Sequence, residues 1–463
     1  MIPEPCIGHS TNLGHWNSFF RTFSNKLHPL KTYTSNTVKV LPICFLLLSL
    51  LPIQAREYSP KLGKETFLDV WNKVDATFDA KTSNGVNWKS VKSTYAARVE
   101  EAKSSKELRL ILNEMLDELK LSHFSVSKNN EEPDRDQEGP AEAITKGYLG
   151  LELRLIDQQI MIFEIAKNSP AARAGLKPGM ILTSFEGQPM AEIVEDFELT
   201  SKSTPLQRMT AVNSILEKLS QPQDGQTTLE TKNSDQAFEV KPGFYQGETA
   251  SLGNHNNIPF FFETRLVGKE QNIRLLSFDI FLPGLMPRIN QAVAQAHEEK
   301  AAGLIIDLRG NPGGVGVMAS GLMGRIIDKQ LNLGQMNTPS GTLPFRAFPQ
   351  KGAYLGPIAA LVDSFSASTS EILAAALQEH ERARIFGRPT AGAALPSVLV
   401  KLPNGDHFQY ALGDYVTSLH QTHLEGTGVT PDQLIPLAPP SLLAGADPDL
   451  EAAILWLEKQ STK

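Results

Sequence analysis

Ile358-Ala-Ala-Leu-Val-Asp-Ser-Phe-Ser-Ala-Ser-Thr-Ser-Glu-Ile-Leu-Ala-Ala-Ala-Leu377 holds the architecture of this 463-residue chain in miniature. Residues 358–362 are an apolar run of the kind buried on both faces of a sheet. A serine-rich turn follows, and the alanine-rich segment Glu371–His380 has helical composition. The same order occurs upstream. Gly303-Leu-Ile-Ile-Asp-Leu308 is a continuous apolar strand, Arg309-Gly-Asn-Pro-Gly-Gly314 is a turn, and another helix follows. Ile273–Phe278 and residues 291–300 add a further strand and helix. Strands alternating with helices in this way predict an α/β layered core from about residue 250 to the end.

The serine turn places a hydroxyl at a helix N-terminus, where unpaired amides and the macrodipole favour developing negative charge. Two readings stand side by side. Ser368 is placed as a nucleophile, or Ser368-x-x-Glu371 is a capping box whose hydroxyl satisfies a helix amide. The glycine-rich turn Asp307-Leu-Arg-Gly-Asn-Pro-Gly-Gly314 lets backbone amides approach a ligand, and a pair of such amides can form an oxyanion hole. No Gly-Lys-Ser/Thr follows it, so it is not a phosphate-binding Walker loop.

The remainder of the chain divides by composition. Residues 58 to about 130 read as a helical segment, with Phe67, Val70, Trp71 and Val74 and then Leu108, Ile111, Met115 and Leu119 at helical spacing. Residues 129–140 are acidic and punctuated by prolines, as a linker is. Residues 145–245 are strand-rich, and Ser169-Pro-Ala-Ala-Arg-Ala-Gly-Leu-Lys-Pro-Gly179 within them resembles a signature of PDZ domains in bacterial proteases. That resemblance implies capture of a peptide C-terminus at the amides of Leu149, Gly150 and Leu151, the peptide adding a strand to the sheet.

Residues 1–57 read as a leader. Lys39, the apolar run Val40–Ile53 and Gln54-Ala55 have the order of a secretory signal, with an uncleaved anchor over residues 39–55 as the alternative. The polar residues before it do not suit a signal, so Val38 is a candidate start. Both cysteines, Cys6 and Cys44, lie in this leader; a processed chain has none, which excludes disulfides and thiol catalysis. A net charge of −7 argues against nucleic acid or an anionic membrane as partner. No histidines stand at metal-ligand spacing, and no cofactor is expected.

Taken together, Asp-Leu-Arg-Gly-Asn-Pro-Gly-Gly314, Ser366-Ala-Ser-Thr-Ser-Glu-Ile-Leu-Ala-Ala-Ala376 and Leu424-Glu-Gly-Thr-Gly-Val-Thr-Pro-Asp432 resemble the tail-specific, or C-terminal processing, serine peptidases. The resemblance implies a crotonase-like strand–helix peptidase core at 250–463, an N-terminal helical segment and an inserted PDZ domain. It also implies Ser368 as nucleophile. Many members draw their base from a lysine in Thr-Phe-Gly-Lys-Gly, where this chain has Ala393. Arg388 stays protonated and cannot serve, and Lys401 falls in a strand-like segment as a surface residue. A branch resembling the tricorn core protease uses a Ser-His pair after a helix and a glutamate before Gly-x-x-Pro-Asp. By that resemblance His123 is the base, supported by Ser122 and Glu425. The oxyanion donors are then the Thr369 amide and the amide of Gly313 or Gly314, a choice the sequence leaves open.

The expectation is an exported, periplasmic or extracellular serine endopeptidase that acts on proteins or peptides through their C-termini. A catalytically inactive peptide-binding protein and a crotonase-like acyl enzyme are the alternatives.

Overall fold

The computed structural model describes residues 58–77, 85–128, 147–200, 202–222, 224–252 and 255–460. The leader at 1–57 and the linker at 129–140 lie outside the described residues.

A six-stranded sheet organises the core. Its order is Phe262–Val267, Ile273–Phe278, Gly303–Asp307, Ile358–Val362, Arg384–Gly387 and Gln433–Leu434. The first pair is antiparallel and every later pair parallel. Alternate residues explain why the central strands Gly303–Asp307 and Ile358–Val362 are apolar along nearly their whole length. Leu304, Ile306, Ala360 and Val362 face helices Met286–Glu298, Val317–Gly324 and Thr369–Glu379. Ile305, Ala359, Leu361 and Phe386 face Ala453 and Leu457 of helix Pro448–Gln460. Both faces are dry, so neither parity of the strand can be polar. The expected α/β class is the one observed.

The N-terminal segment forms three helices, Pro60–Thr77, Trp88–Glu101 and Ser105–Asp117. They do not close a core alone. Leu108, Leu112, Met115 and Leu116 pack against Leu402, Phe408 and Ala411 from the far end of the chain. Arg109 ties the third helix to the buried Asp406 carboxylate through two contacts of 2.5 and 2.6 Å. The helical segment expected over residues 58 to about 130 ends early: helix stops at Asp117, and Ser125–Ser127 is a strand paired with His407–Ala411. The Asn113 side chain fixes that change of direction. It donates to Val126 O at 2.9 Å and accepts from Val126 N at 2.7 Å.

The inserted unit has a sheet in the order Leu151–Ile156, Gln159–Ile165, Ile181–Phe185, Thr227–Thr231 and Ser234–Val240, with its own apolar core. Gly150 opens it at φ +75, and a Cβ there would come within 2.1 Å of Ser169 Cβ, so only glycine fits. The sixteen-residue helix Pro205–Ser220 begins at a Thr204/Gln207 capping box.

Candidate active site

Three loops leave the C-terminal ends of the neighbouring parallel strands Gly303–Asp307, Ile358–Val362 and Arg384–Gly387, where open α/β sheets bind their ligands. Hydroxyls stitch the first two loops together. Ser366 Oγ donates to Leu308 O at 2.7 Å, Thr369 Oγ1 to Gly314 O at 2.9 Å and Ser370 Oγ to Asn311 O at 2.9 Å. Those three residues are buried, whereas Ser368 is partly exposed. Ser368 stands at the cap of helix Thr369–Glu379 with φ +55 and ψ −117, a conformation that non-glycine residues rarely adopt. Only the glutamate half of the capping box forms: the Glu371 carboxylate takes the Ser368 amide at 3.1 Å, whereas the Glu371 amide bonds Ser368 O at 2.9 Å and leaves the hydroxyl unused.

The structure separates the two glycines that the sequence left equivalent. The Gly313 amide donates to Asn311 Oδ1 at 2.9 Å, within its own turn. Among the described residues, the amides of Gly314 and Thr369 donate to no protein acceptor. They are held side by side by the bond between the Thr369 hydroxyl and Gly314 O. Gly314 itself is required by φ +134 and by Phe281 O, which a Cβ would approach to 2.4 Å. Asn311 was not singled out by the sequence, although an asparagine two residues before a glycine is a turn signal.

A second cluster comes from the helical segment. Glu425 accepts the Ser122 amide at 2.6 Å and the Ser122 hydroxyl at 2.8 Å, and Ser122 Oγ lies 2.6 Å from His123 Nδ1. With the Ser122 proton given to Glu425, its oxygen accepts from Nδ1–H, which leaves His123 Nε2 with a free lone pair. Burial pushes the His123 imidazole down to about 4, so the ring is neutral at pH 7. Burial pushes the Glu425 carboxyl up, opposed by hydrogen bonds from Ser122 and Ala394.

Residues 392–394 join the clusters. Ala393 O accepts the Ser368 amide at 2.8 Å, and the Ala394 amide donates to Glu425 Oε2 at 3.0 Å. Gly426 N closes back on Gly392 O at 2.8 Å. Consecutive residues of this loop thus tie the Ser368 main chain to the Ser122, His123 and Glu425 cluster, and among the described residues no hydrogen bond joins Ser368 Oγ to His123. Leu149, Gly150 and Leu151 take no part in these bonds; they stand at the start of the inserted unit's edge strand, whose core Phe365 of the serine turn packs against.

Other candidates have structural partners. Arg309 binds Asp307, Asp447 and Asp449, and Arg388 binds Asp449 at 2.7 Å. Lys401 is exposed in strand Ser397–Lys401. His423 and His420 are exposed, with Asp414 and Glu379 beside them. Among the described residues no cluster of metal-ligating side chains occurs.

The model of peptidase family S41 matches residues 272–435, the span of the central parallel strands, and that of the tricorn protease C1 domain matches residues 63–117, the three helices. A carboxyl-terminal-processing protease from Synechocystis is 23% identical over 387 residues, covering 80% of this chain and 81% of that protein. A probable CtpA-like serine protease from Staphylococcus haemolyticus is 23% identical over 293 residues, 62% of this chain; the match spans only about half, 52%, of that relative. Among solved structures, mature CPAF is similar at TM-score 0.59 and 14% identity, with 87% of this chain and 97% of that one covered. The photosystem II D1 C-terminal processing protease follows at TM-score 0.55 and 19% identity, covering 86% and 97%.

The low His123 pKa has a direct consequence. The ordinary imidazole value is about 6.5. As pH falls from there towards about 4, the unfolded chain binds a proton that the folded chain refuses, so acid erodes stability across that window. Imidazole NMR should show the His123 resonances unchanged between pH 5.5 and 8; a midpoint near 6.5 would contradict this environment.

Proposed function

We propose that this chain, which carries a peptidase family S41 domain at residues 272–435 and a tricorn protease C1 domain at residues 63–117, is a serine endopeptidase that hydrolyses protein substrates. One observation carries the reading more than any other. The neighbouring hydroxyls of Ser366, Thr369 and Ser370 are each spent on a backbone carbonyl, while Ser368 stands partly exposed beside two unpaired amides.

In this reading Ser368 Oγ attacks the scissile carbonyl, and His123 Nε2 takes its proton. Charge then builds on the carbonyl oxygen, which lies between the amides of Thr369 and Gly314. The imidazolium is stabilised through Nδ1–H to Ser122 Oγ and from there to the Glu425 carboxylate, so a serine relays what a carboxylate does directly in other triads. His123 returns the proton to the leaving amine. Water then attacks the acyl-enzyme with His123 again as base, releasing the acid and restoring Ser368. With its pKa at about 4, the imidazole is unprotonated throughout the neutral range.

The inserted unit acts in this reading as a PDZ domain. A substrate tail adds to the edge strand Leu151–Ile156, with its carboxylate at the amides of Leu149, Gly150 and Leu151. The fit of Gly150 against Ser169 supports a loop shaped by backbone rather than side chains. The leader marks the enzyme for export, the core working outside the cytoplasm.

Fluorophosphonate labelling of wild-type protein should be lost in Ser368→Ala, and labelling that survives would reject this nucleophile. His123→Ala should lower kcat by about 10⁶; turnover near wild type would point to another base. Export predicts a mature N-terminus near Arg56, and secreted protein that retains Met1 would refute processing at that point.

A further inference from the structure

Glu371 is fully buried, and its carboxylate meets four donors. Oε1 accepts from Thr390 Oγ1 at 2.5 Å and Gly392 N at 2.8 Å; Oε2 accepts from Ala393 N at 2.8 Å and Ser368 N at 3.1 Å. Three of these are backbone amides and can only donate. The fourth is constrained as well, because Thr390 Oγ1 accepts from Val429 N at 2.6 Å, which leaves its proton for Glu371. Four donors match the four acceptor positions of an ionised carboxylate. A protonated carboxyl would set its own O–H against one of them.

A helix cap does not require this. The carboxylate of a capping box needs only the cap residue's amide. Here the same group also grips residues 390–393, and the next amide in that loop, Ala394 N, binds Glu425. Ser368 meanwhile holds a backbone conformation that persists only where its surroundings enforce it.

We propose that Glu371, as a carboxylate, is a positioning residue for the peptidase reaction. It locks the Ser368 amide in its strained conformation and fixes that serine to the loop that anchors Glu425, Ser122 and His123. The inference rests on the serine-peptidase reading given above.

Its pH behaviour separates this role from a merely structural one. Burial pushes the Glu371 carboxyl up to about 7, against the opposing bonds from Thr390, Ala393, Gly392 and Ser368. These neighbours on the loop and on its own helix are uncharged, as is Val429 on the adjoining turn. The titratable groups reached through Ala394 are Glu425, whose carboxyl is also raised by burial, and His123, which lies near 4. Acidification through about 7 therefore protonates Glu371, releases a donor and lowers kcat, well above the pH at which His123 titrates.

The experiment compares kcat, KM and fluorophosphonate labelling rate against pH for wild type, Glu371→Gln and Thr390→Val. Glu371→Gln places an NH₂ against a donor. It should lower kcat and the labelling rate together by about 10², the cost of a misplaced reacting group, with KM within about threefold. Its residual activity should lose the acid limb near 7. Thr390→Val removes one stabilising donor and should move that limb to higher pH. Folded Glu371→Gln with kcat and acid limb like wild type overturns the inference. If Glu371→Gln does not fold, an unmoved limb in Thr390→Val overturns it. Wild-type protein that is never labelled would instead reject the peptidase reading itself.

Discussion

Three consecutive amides, those of Gly392, Ala393 and Ala394, are held by two largely buried carboxylates, Glu371 taking the first two and Glu425 the third. Carboxylates placed in a low-dielectric site must have their lone pairs filled, and here the filling partners are backbone. That exchange gives the loop its shape. It also explains why a run as plain as Gly-Ala-Ala is sufficient, since the amides carry the interactions. On one side Glu371 and Ala393 O hold the Ser368 amide. On the other, Glu425 holds both the amide and the hydroxyl of Ser122, and through it His123. Ser368 and His123 come from elements hundreds of residues apart, and this loop ties the two to each other.

The inserted unit shares in the support of the same region. Arg154, on its edge strand, pairs with the fully buried Asp363 at 2.6 Å, its guanidinium lying between the rings of Phe163 and Phe365. Burial would raise the Asp363 carboxyl, but Arg154 and Arg388 overrule it and hold it at about 2. Asp363 in turn accepts the amides of Gly310 and Phe365, so it braces both the glycine loop and the serine turn. A buried pair of this kind is costly to break by removing one partner, because the other charge is then stranded. Leu206 and Met209 of helix Pro205–Ser220 also pack on Ala367, Ala391 and Ala393.

The parts legible in the sequence were those with a local cause. Gly303–Asp307 and Ile358–Val362 read as strands because both their faces are buried and the apolar run is unbroken. The serine turn reads in sequence as a cap or as a nucleophile, and the glutamate half of a capping box forms there. Strand Ser125–Ser127 was not legible, since three residues carry no period and its partner lies near residue 408. The proximity of Glu425 to Ser122 came from family resemblance, because no local pattern links positions 303 residues apart. The difference between the Gly313 and Gly314 amides needed the side chain of Asn311, and the bonds of Glu371 to the loop needed Thr390 and the amides of Gly392 and Ala393. Such bonds depend on where backbone amides end up, which residue identities do not reveal.

A crystal structure of the fluorophosphonate adduct would show whether the two clusters act as one site. The account predicts phosphorus bonded to Ser368 Oγ, with a phosphonyl oxygen about 3 Å from the amides of both Thr369 and Gly314 and His123 Nε2 facing Ser368 Oγ. An adduct on another residue, or one on Ser368 whose oxygen turns away from both amides, would contradict it.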